Sequence, residues 1–245
     1  MPHPAYAYVV GAHAALATAA LVVGGVALAS TKGGLTHRRA GRGYSRAIGG
    51  VVATGALATA VGRPTLYLTT LLLLTAYPTW SGVRVLGRKR PDVDPAQRAR
   101  QADWVAAAAT LAASLLLLAA NARGLGGRHA GAIWGTAPFL TAFAVYDLWR
   151  FTRPAARPMG PTLWLREHIG KLTGAYFGAV SAFSGNVATA VPDPWRVLVP
   201  NLTGVVVMVI FLARLRRGSF GHVARRAGAE AAAFVAPAAP AGRVA

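Results

Sequence analysis

About seven stretches of this chain contain almost no Lys, Arg, Asp or Glu, and basic clusters separate them. Each stretch comes close to the about 20 apolar residues that a helix needs to cross a hydrocarbon core of about 30 Å. In lipid the backbone polar groups must be satisfied within the segment itself, so the spanning element is a helix. The pattern predicts an all-α fold, a polytopic transmembrane helical bundle of about seven spans.

The composition and charge indicate the same class. Only 13% of the 245 residues are charged, whereas a soluble domain has about a quarter. The formal net charge of +19 lies almost wholly between apolar segments. We therefore expect a lipid bilayer, with anionic head groups at its cytoplasmic face, as the partner rather than nucleic acid. The chain has no cysteine, which excludes disulfides, thiolate-bound haem, iron–sulfur clusters and cysteine zinc sites within it.

The distribution of Lys and Arg predicts the orientation of the bundle. The predicted spans are 5–29, 46–62, 65–86, 103–121, 130–148, 163–190 and 195–213. Most of the 26 Lys and Arg lie in alternate connections and after the last span, whereas the other side carries only Arg63, Arg123, Arg128 and Arg196. By the positive-inside rule the N-terminus is outside and the C-terminus is cytoplasmic, in a multi-pass protein of the cytoplasmic (inner) membrane. No basic residue precedes the first apolar run, so we interpret it as a retained span rather than a signal peptide.

Domain organisation follows from the same pattern. Residues 1–217 are the predicted seven-span transmembrane domain, and 218–245 are a disordered, basic, Ala- and Pro-rich cytoplasmic tail. The pair Arg63-Pro64 predicts a very tight turn between the second and third spans.

One polar stripe predicts which face of the fourth span points inward. Asp103, Thr110, Ser114 and Asn121 recur at helical spacing along its whole length. Polar side chains are costly in lipid, so the stripe should face protein or a polar cavity. It is either interhelical hydrogen bonding or a polar pathway.

Small residues and prolines mark other spans. A four-residue spacing of small residues predicts that the sixth span is central, with another backbone close to it. These residues are Gly170, Gly174, Gly178 and Ala182. Pro78, Pro138 and Pro200 each interrupt a span and free a backbone carbonyl, which nearby Thr75, Thr79 and Asn201 could satisfy.

Two histidines lie at membrane depth. His13 is on the first span, on a face that continues through small residues, and His168 is near the cytoplasmic end of the sixth. Each has a structural or a direct functional interpretation. A b-type haem with His13 and His168 as ligands is one alternative, although their depths differ by about 9 Å in a core of about 30 Å.

The most distinctive local string runs from Lys32 to Tyr44, which we predict as a cytoplasmic loop. In a helical conformation Arg38 and Arg42 would share one face, and His37 and Tyr44 another. Two interpretations stay open: an Arg–carboxylate network that locks this loop to three spans, or an anion or lipid-phosphate site. The first uses Asp103, Asp147 and Glu167; the second uses Arg38, Arg39, Arg42 and Lys171.

These motifs carry a resemblance to a known group of proteins. The string Lys-Gly-Gly-x-x-His-Arg-x-x-Gly-Arg-x-Tyr and a late His-x-Gly-x-x-x-Gly-x-Tyr span resemble a prokaryotic family of predicted polytopic integral membrane proteins of unknown function. The matching positions are His13, Lys32, Gly33, His37, Arg38, Gly41, Arg42, Tyr44, His168, Gly170, Gly174, Tyr176, Phe183 and Asn186. The resemblance implies a polytopic prokaryotic membrane protein and no particular activity.

The sequence offers no catalytic constellation that we can defend. The seventh span has no Lys for retinal, Ser184 and His168 lie about 24 Å apart on one helix, and His-Glu-x-x-His is absent. We predict neither catalytic residues nor metal ligands.

The predicted functional region is a polar cluster in the bundle interior, covered by the segment from His37 to Tyr44. Its members are His168, Asp103, Asp147, Glu167, Lys171, His37, Arg38, Arg42 and Tyr44. We predict that it binds or transports a small molecule, ion or lipid. One alternative is a membrane electron-transfer protein with a bis-histidine haem b, and another is a membrane assembly or scaffold protein.

Overall fold

A computed structural model describes residues 4–62, 65–92, 94–153, 162–192, 195–218 and 220. Within these residues the fold is all-helical and contains no strand, which confirms the predicted all-α class. The seven long helices are α1 Pro4–Ala29, α2 Leu35–Val61, α3 Leu66–Arg84, α4 Gln101–Ala122, α5 Ala130–Phe151, α6 Leu163–Val187 and α7 Trp195–Arg216. Short 3₁₀ helices at Val85–Gly87, Pro95–Gln97 and Gly127–His129 lie in the connections.

Successive helices run in opposite directions, so their ends gather at two poles of the bundle. At one pole, His37 of α2 donates to the Ala27 carbonyl of α1, and Glu167 of α6 pairs with Arg150 of α5. The basic connections meet here, and we call this pole the basic end. At the opposite end, Asn121 of α4 donates to the Ala130 carbonyl of α5 at 3.1 Å.

Helix α2 begins about three turns earlier than the predicted second span. The segment from Leu35 to Tyr44, predicted as a loop, is therefore helical, and that prediction was wrong. Gly33 turns the chain with a φ of 76°, a conformation that favours glycine, and Gly34 is the N-cap. The apolar-length rule finds only the part of a helix that can lie in lipid, whereas this helix continues through its basic residues.

The polar stripe of α4 points inward as predicted. Asp103, Thr110, Ser114 and Asn121 are all buried, with exposures of 0–6%. The Thr141 hydroxyl of α5 donates to Ser114 at 2.9 Å, so Ser114 hydrogen-bonds between helices, as Asn121 does. These two contacts fit the interpretation as interhelical hydrogen bonding.

Helix α3 has the most central position, since it packs on α2, α4, α5 and α6. Helix α6, for which the central position was predicted, packs on α1, α3 and α7. Its glycines admit side chains rather than another backbone. A Cβ at Gly174 would lie 3.3 Å from the Phe143 ring, and one at Gly178 would lie 3.5 Å from Leu74. The closest approach to α6 is made instead at Gly82 of α3, where a Cβ would collide with Lys171 and Leu172.

The backbone carbonyl that Pro200 leaves without a donor in α7 accepts a hydrogen bond from α6. A proline removes the N–H that would bond to the carbonyl four residues earlier, here that of Arg196. Ser184 of α6 donates to this carbonyl at 2.5 Å, and Ser181 donates to the next one, that of Val197, at 3.0 Å. Asn201, the predicted partner, also donates to Val197 at 3.0 Å.

Among the described residues, three helical segments are long and apolar enough to cross a membrane: Tyr6–Ala29, Pro95–Ala122 and Trp195–Arg216. In the most apolar windows of the first and last, only 11% of the residues are buried inside the protein. Such outward apolar surface is compatible with a membrane protein. The predicted turn at Arg63-Pro64 and, apart from Gly218 and Phe220, the predicted tail lie outside the described residues.

Candidate functional site

Asp103 is the centre of an ion-pair group that joins α3 to the start of α4. Arg84 donates to its carboxylate through two atoms, Nε at 3.0 Å and Nη2 at 2.9 Å. The Arg100 backbone N–H adds a third bond at 2.8 Å, and Arg88 Nη1 lies 3.8 Å away. Because the carboxylate is fully buried, these contacts compensate the cost of removing its charge from water.

A second buried group joins α3, α5 and α6. Lys171 Nζ lies 2.5 Å from Asp147 Oδ1, and the Tyr77 hydroxyl donates to Asp147 Oδ2 at 2.7 Å. Asp147 and Lys171 are only 1% and 2% exposed. The three side chains therefore form a closed set in which each charge is paired.

Glu167 forms a third group with α5. Arg150 Nε donates to its Oε1 at 2.9 Å, and the Tyr146 hydroxyl donates to the same oxygen at 2.8 Å. The three carboxylates predicted to pair with the Arg38–Arg42 segment, those of Asp103, Asp147 and Glu167, all form ion pairs with other residues. Their partners are Arg84, Arg88, Arg150 and Lys171. Among the described residues, no arginine of the Arg38–Arg42 segment pairs with them, so the network that was to lock this segment is not formed.

A cavity of about 700 Å³ lies at the basic end, among α1, α2, the end of α3, α6 and α7. Its walls are mostly apolar and include Leu28, Val83, Leu165, Leu172 and Phe211. Its cationic lining residues are Lys32, Arg38, Arg42, Arg46 and Lys89, and none of the described residues that line it is acidic. We call this space the basic cavity.

The uncharged polar residues that line the basic cavity include two histidines and Tyr44. His37 Nδ1 donates to the Ala27 carbonyl at 2.9 Å, and His168 Nδ1 donates to the Gly82 carbonyl at 3.0 Å. Tyr44 is 3% exposed, and its hydroxyl has no hydrogen-bond partner among the described residues. Thr79 is a neighbour of this hydroxyl, but the geometry is not that of a hydrogen bond.

Burial affects the charge of two residues that line the basic cavity, Lys32 and His37. Lys32 donates to the Ala27 and Ser30 carbonyls at the end of α1 and lies 4.6 Å from the Phe211 ring centroid. Burial, and then Arg214, lower the pKa of Lys32 from its ordinary value of 10.5. Burial also lowers the pKa of His37 below 6.5, despite its bond to Ala27, and Lys32 adds to this effect. His37 is therefore neutral at pH 7, and the positive charge comes from the lysines and arginines.

The structure divides the predicted polar cluster into two parts. Asp103, Asp147, Glu167 and Lys171 belong to the ion-pair groups, whereas the remaining members line the basic cavity. The remaining members are His37, Arg38, Arg42, Tyr44 and His168. Of the residues predicted for an anion site, Arg38 and Arg42 do line this cavity, and Arg39 and Lys171 do not.

His13 lies away from the basic cavity. Its Nδ1 is 3.1 Å from both the Val51 carbonyl and the Thr54 hydroxyl of α2, so it makes the predicted tight helix contact. It is not among the residues that line the cavity of His168. Within the described residues, no group of three His, Asp or Glu is arranged to hold a metal ion.

The sequence reasoning overlooked several residues of these sites. Arg84, Arg88 and Arg150 were counted only as topology signals, and Tyr77 was not considered. For Arg84 and Arg150 the available signal was their position in the last turn of a helix, with an acidic residue near the start of the next helix. The apolar wall of the basic cavity gave no comparable signal, because such side chains occur on every span.

Comparison of the chain with protein-family models, with curated proteins and with solved structures found no match. The resemblance inferred from the two motifs therefore stays a prediction.

Proposed function

We propose that this chain is an integral protein of a prokaryotic cytoplasmic membrane that crosses the bilayer seven times, with the basic end in the cytoplasm. Alternating helix directions and the collection of Lys and Arg at one end support this topology. On α7 alone, eight large apolar side chains from Trp195 to Ile210 are at least 36% exposed. An outer surface of this kind is stable only against lipid or protein.

Tryptophans near the helix ends also support this placement. Trp80, Trp104 and Trp149 are 37–49% exposed at the basic end, and Trp134 and Trp195 are 51% and 55% exposed at the other. Indole rings favour the two membrane–water interfaces.

Cysteine labelling tests the topology, because the chain contains no cysteine of its own. We expect Leu125→Cys to react with an impermeant maleimide on intact cells and Leu86→Cys to react only after permeabilisation. Both parent side chains are exposed, at 69% and 41%. Equal reaction of both variants on intact cells would contradict the proposed orientation.

We further propose that the basic cavity binds an anionic amphiphile, a lipid or lipid-like molecule with a negatively charged head group. The observation that carries this proposal is the combination of an apolar wall with five cationic residues, in a lining whose described residues include no carboxylate. The apolar wall suits a hydrocarbon chain, and the arginines suit a phosphate or carboxylate. A volume of about 700 Å³ lies within the range of small-molecule sites, about 300–1,000 Å³.

Within this proposal Tyr44 supplies a specific contact. Tyr44 lines the cavity, and its buried hydroxyl has no hydrogen-bond partner among the described residues, which is unfavourable by about 1–3 kcal/mol. A polar atom of the bound molecule would satisfy it. The sequence analysis predicted either binding or transport of a small molecule, ion or lipid, and the cavity supports binding. The polar contacts to the bound molecule would come from the helical segment Arg38–Tyr44.

Thermal unfolding of the purified protein in detergent tests the proposal. Phosphatidylglycerol should raise the Tm more than phosphatidylcholine with the same acyl chains, and salt should weaken the difference. In the double variant R38Q/R42Q, most of the difference between the two lipids should be lost. R39Q is the matched control, because Arg39 is an exposed arginine of the same helix that does not line the cavity. Equal effects of the two lipids, or equal losses in R39Q and R38Q/R42Q, would contradict the proposal.

A further inference from the structure

A second cavity of about 470 Å³ lies at the basic end, beside the connection from α3 to α4 and the last turn of α5. Its polar lining residues are Arg88, Asp92, Arg98, Asp147, Arg150, Arg153 and Glu167. No residue lines both this cavity and the basic cavity. Consecutive residues separate the two spaces, since Arg88 and Glu167 face one while Lys89 and His168 face the other.

Arg88 provides a buried donor in this second cavity. It is 9% exposed, and its guanidinium lies 4.9 Å from the Phe151 ring centroid, with Phe151 also in the cavity wall. Its Nη1 is 3.8 Å from Asp103, but its Nε–H has no hydrogen-bond partner among the described residues. A buried cationic donor without an acceptor is unfavourable, and an anion in the cavity would satisfy it.

The remaining charges of the second cavity favour an anion as well. Asp147, Glu167 and Asp92 are already paired with Lys171, Arg150 and Arg90 respectively. Arg98 and Arg153 are exposed at the rim, and neither has a carboxylate within 4 Å in the described part of the chain. The cavity therefore carries positive charge that none of its described acidic side chains neutralises.

We infer that the second cavity binds a phosphate-type oxyanion, with Arg88 as the buried donor and Arg98 and Arg153 at its mouth. The planar guanidinium, with Nε–H and Nη–H in one fork, matches two oxygens of such a group. The group is either a free phosphate or the phosphate of a lipid. This inference uses a different cavity and different residues from the proposed amphiphile site, and it goes beyond that proposal.

The test is the Tm of the purified protein titrated with inorganic phosphate, against chloride at equal ionic strength. We expect a saturable rise, with an apparent affinity about tenfold or more weaker in R88Q, because a hydrogen bond to a charged group is lost. R98Q should weaken the affinity severalfold, and it removes no ion pair within the described residues, so it remains informative if R88Q folds poorly. R100Q is the matched control, since Arg100 is exposed in the same connection and does not line the cavity.

A parallel titration with phosphatidic acid distinguishes the two sources of phosphate. A response to inorganic phosphate that R88Q and R98Q weaken supports a free oxyanion. A response to phosphatidic acid alone, with the same variant pattern, supports a lipid phosphate. Because the basic cavity should also bind phosphatidic acid, both titrations are repeated in R38Q/R42Q, where the response to inorganic phosphate and part of the response to phosphatidic acid should persist. The inference is overturned if neither compound raises the Tm, or if R88Q and R98Q respond like the parent protein. It is also overturned if R100Q loses the response as much as R88Q does, or if R38Q/R42Q abolishes the response. In that last case the response belongs to the basic cavity, and the proposed function stands.

Discussion

The buried pair of Lys171 and Asp147 gives the most quantitative prediction. Both side chains are almost fully buried, 2.5 Å apart, and Tyr77 holds the other carboxylate oxygen. Lys171→Met keeps most of the side-chain volume and leaves the carboxylate of Asp147 without its cation. Breaking a buried pair in this way costs about 3–5 kcal/mol. For a chain of this size, at about 2–4 °C per kcal/mol, the Tm should fall by about 6–20 °C.

The double variant D147N/K171M separates the loss of the pair from other effects of the substitutions. With both charges removed, no uncompensated charge stays buried, and the double variant should recover most of the stability lost in K171M. The measurement is thermal unfolding in detergent. Unfolding is monitored as the decrease of the monodisperse gel-filtration peak after samples are heated to increasing temperatures. K171M, D147N and the double variant complete the cycle with the parent protein.

Two results would refute this reasoning. A loss below about 1 kcal/mol in K171M would be typical of an exposed pair rather than a desolvated one. A double variant no more stable than K171M would show that the loss arises from packing rather than from the remaining charge.

Three further predictions use the same unfolding assay. Gly24→Ala should destabilise the protein by about 1–3 kcal/mol, because the added Cβ would lie 2.7 Å from the Tyr176 ring, whereas Gly11→Ala, with nothing within 4 Å, should not. Tyr44→Phe removes an unpartnered hydroxyl and should not lower stability, whereas Tyr77→Phe removes a bond to a carboxylate and should cost about 1.5–3 kcal/mol. Ser184→Ala should cost about 0.6–1.7 kcal/mol, because the carbonyl freed by the proline kink of α7 loses its partner.

Each comparison has an outcome that contradicts its argument. Equal Tm values for the two glycine variants would contradict the close contact between Gly24 of α1 and Tyr176 of α6. A larger loss in the Tyr44 variant than in the Tyr77 variant would mean that the first hydroxyl, not the second, makes the stronger internal bond. A Ser184 variant as stable as the parent would show that the freed carbonyl has another partner.

Local and periodic features were predictable from the sequence. The inward stripe of α4 was found because 3.6-residue periodicity places Asp103, Ser114 and Asn121 on one face wherever that helix packs. The start of α2 was missed, because an apolar-length rule follows lipid-compatible residues, and helical hydrogen bonds continue beyond them. Arg38 and Arg42 were correctly placed on a shared face, but the carboxylates assigned to them found other cations.

The sequence by itself determined the all-helical class, the approximate helix positions and the collection of basic residues in alternate connections, since each depends on side chains close together along the chain. The tertiary structure alone decided which charges pair and which line a cavity. Asp147 and Lys171 come from different helices, and their pairing depends on how closely α6 approaches α3 at Gly82. Such contacts depend on the packing of several helices at once, and no spacing within one segment encodes them.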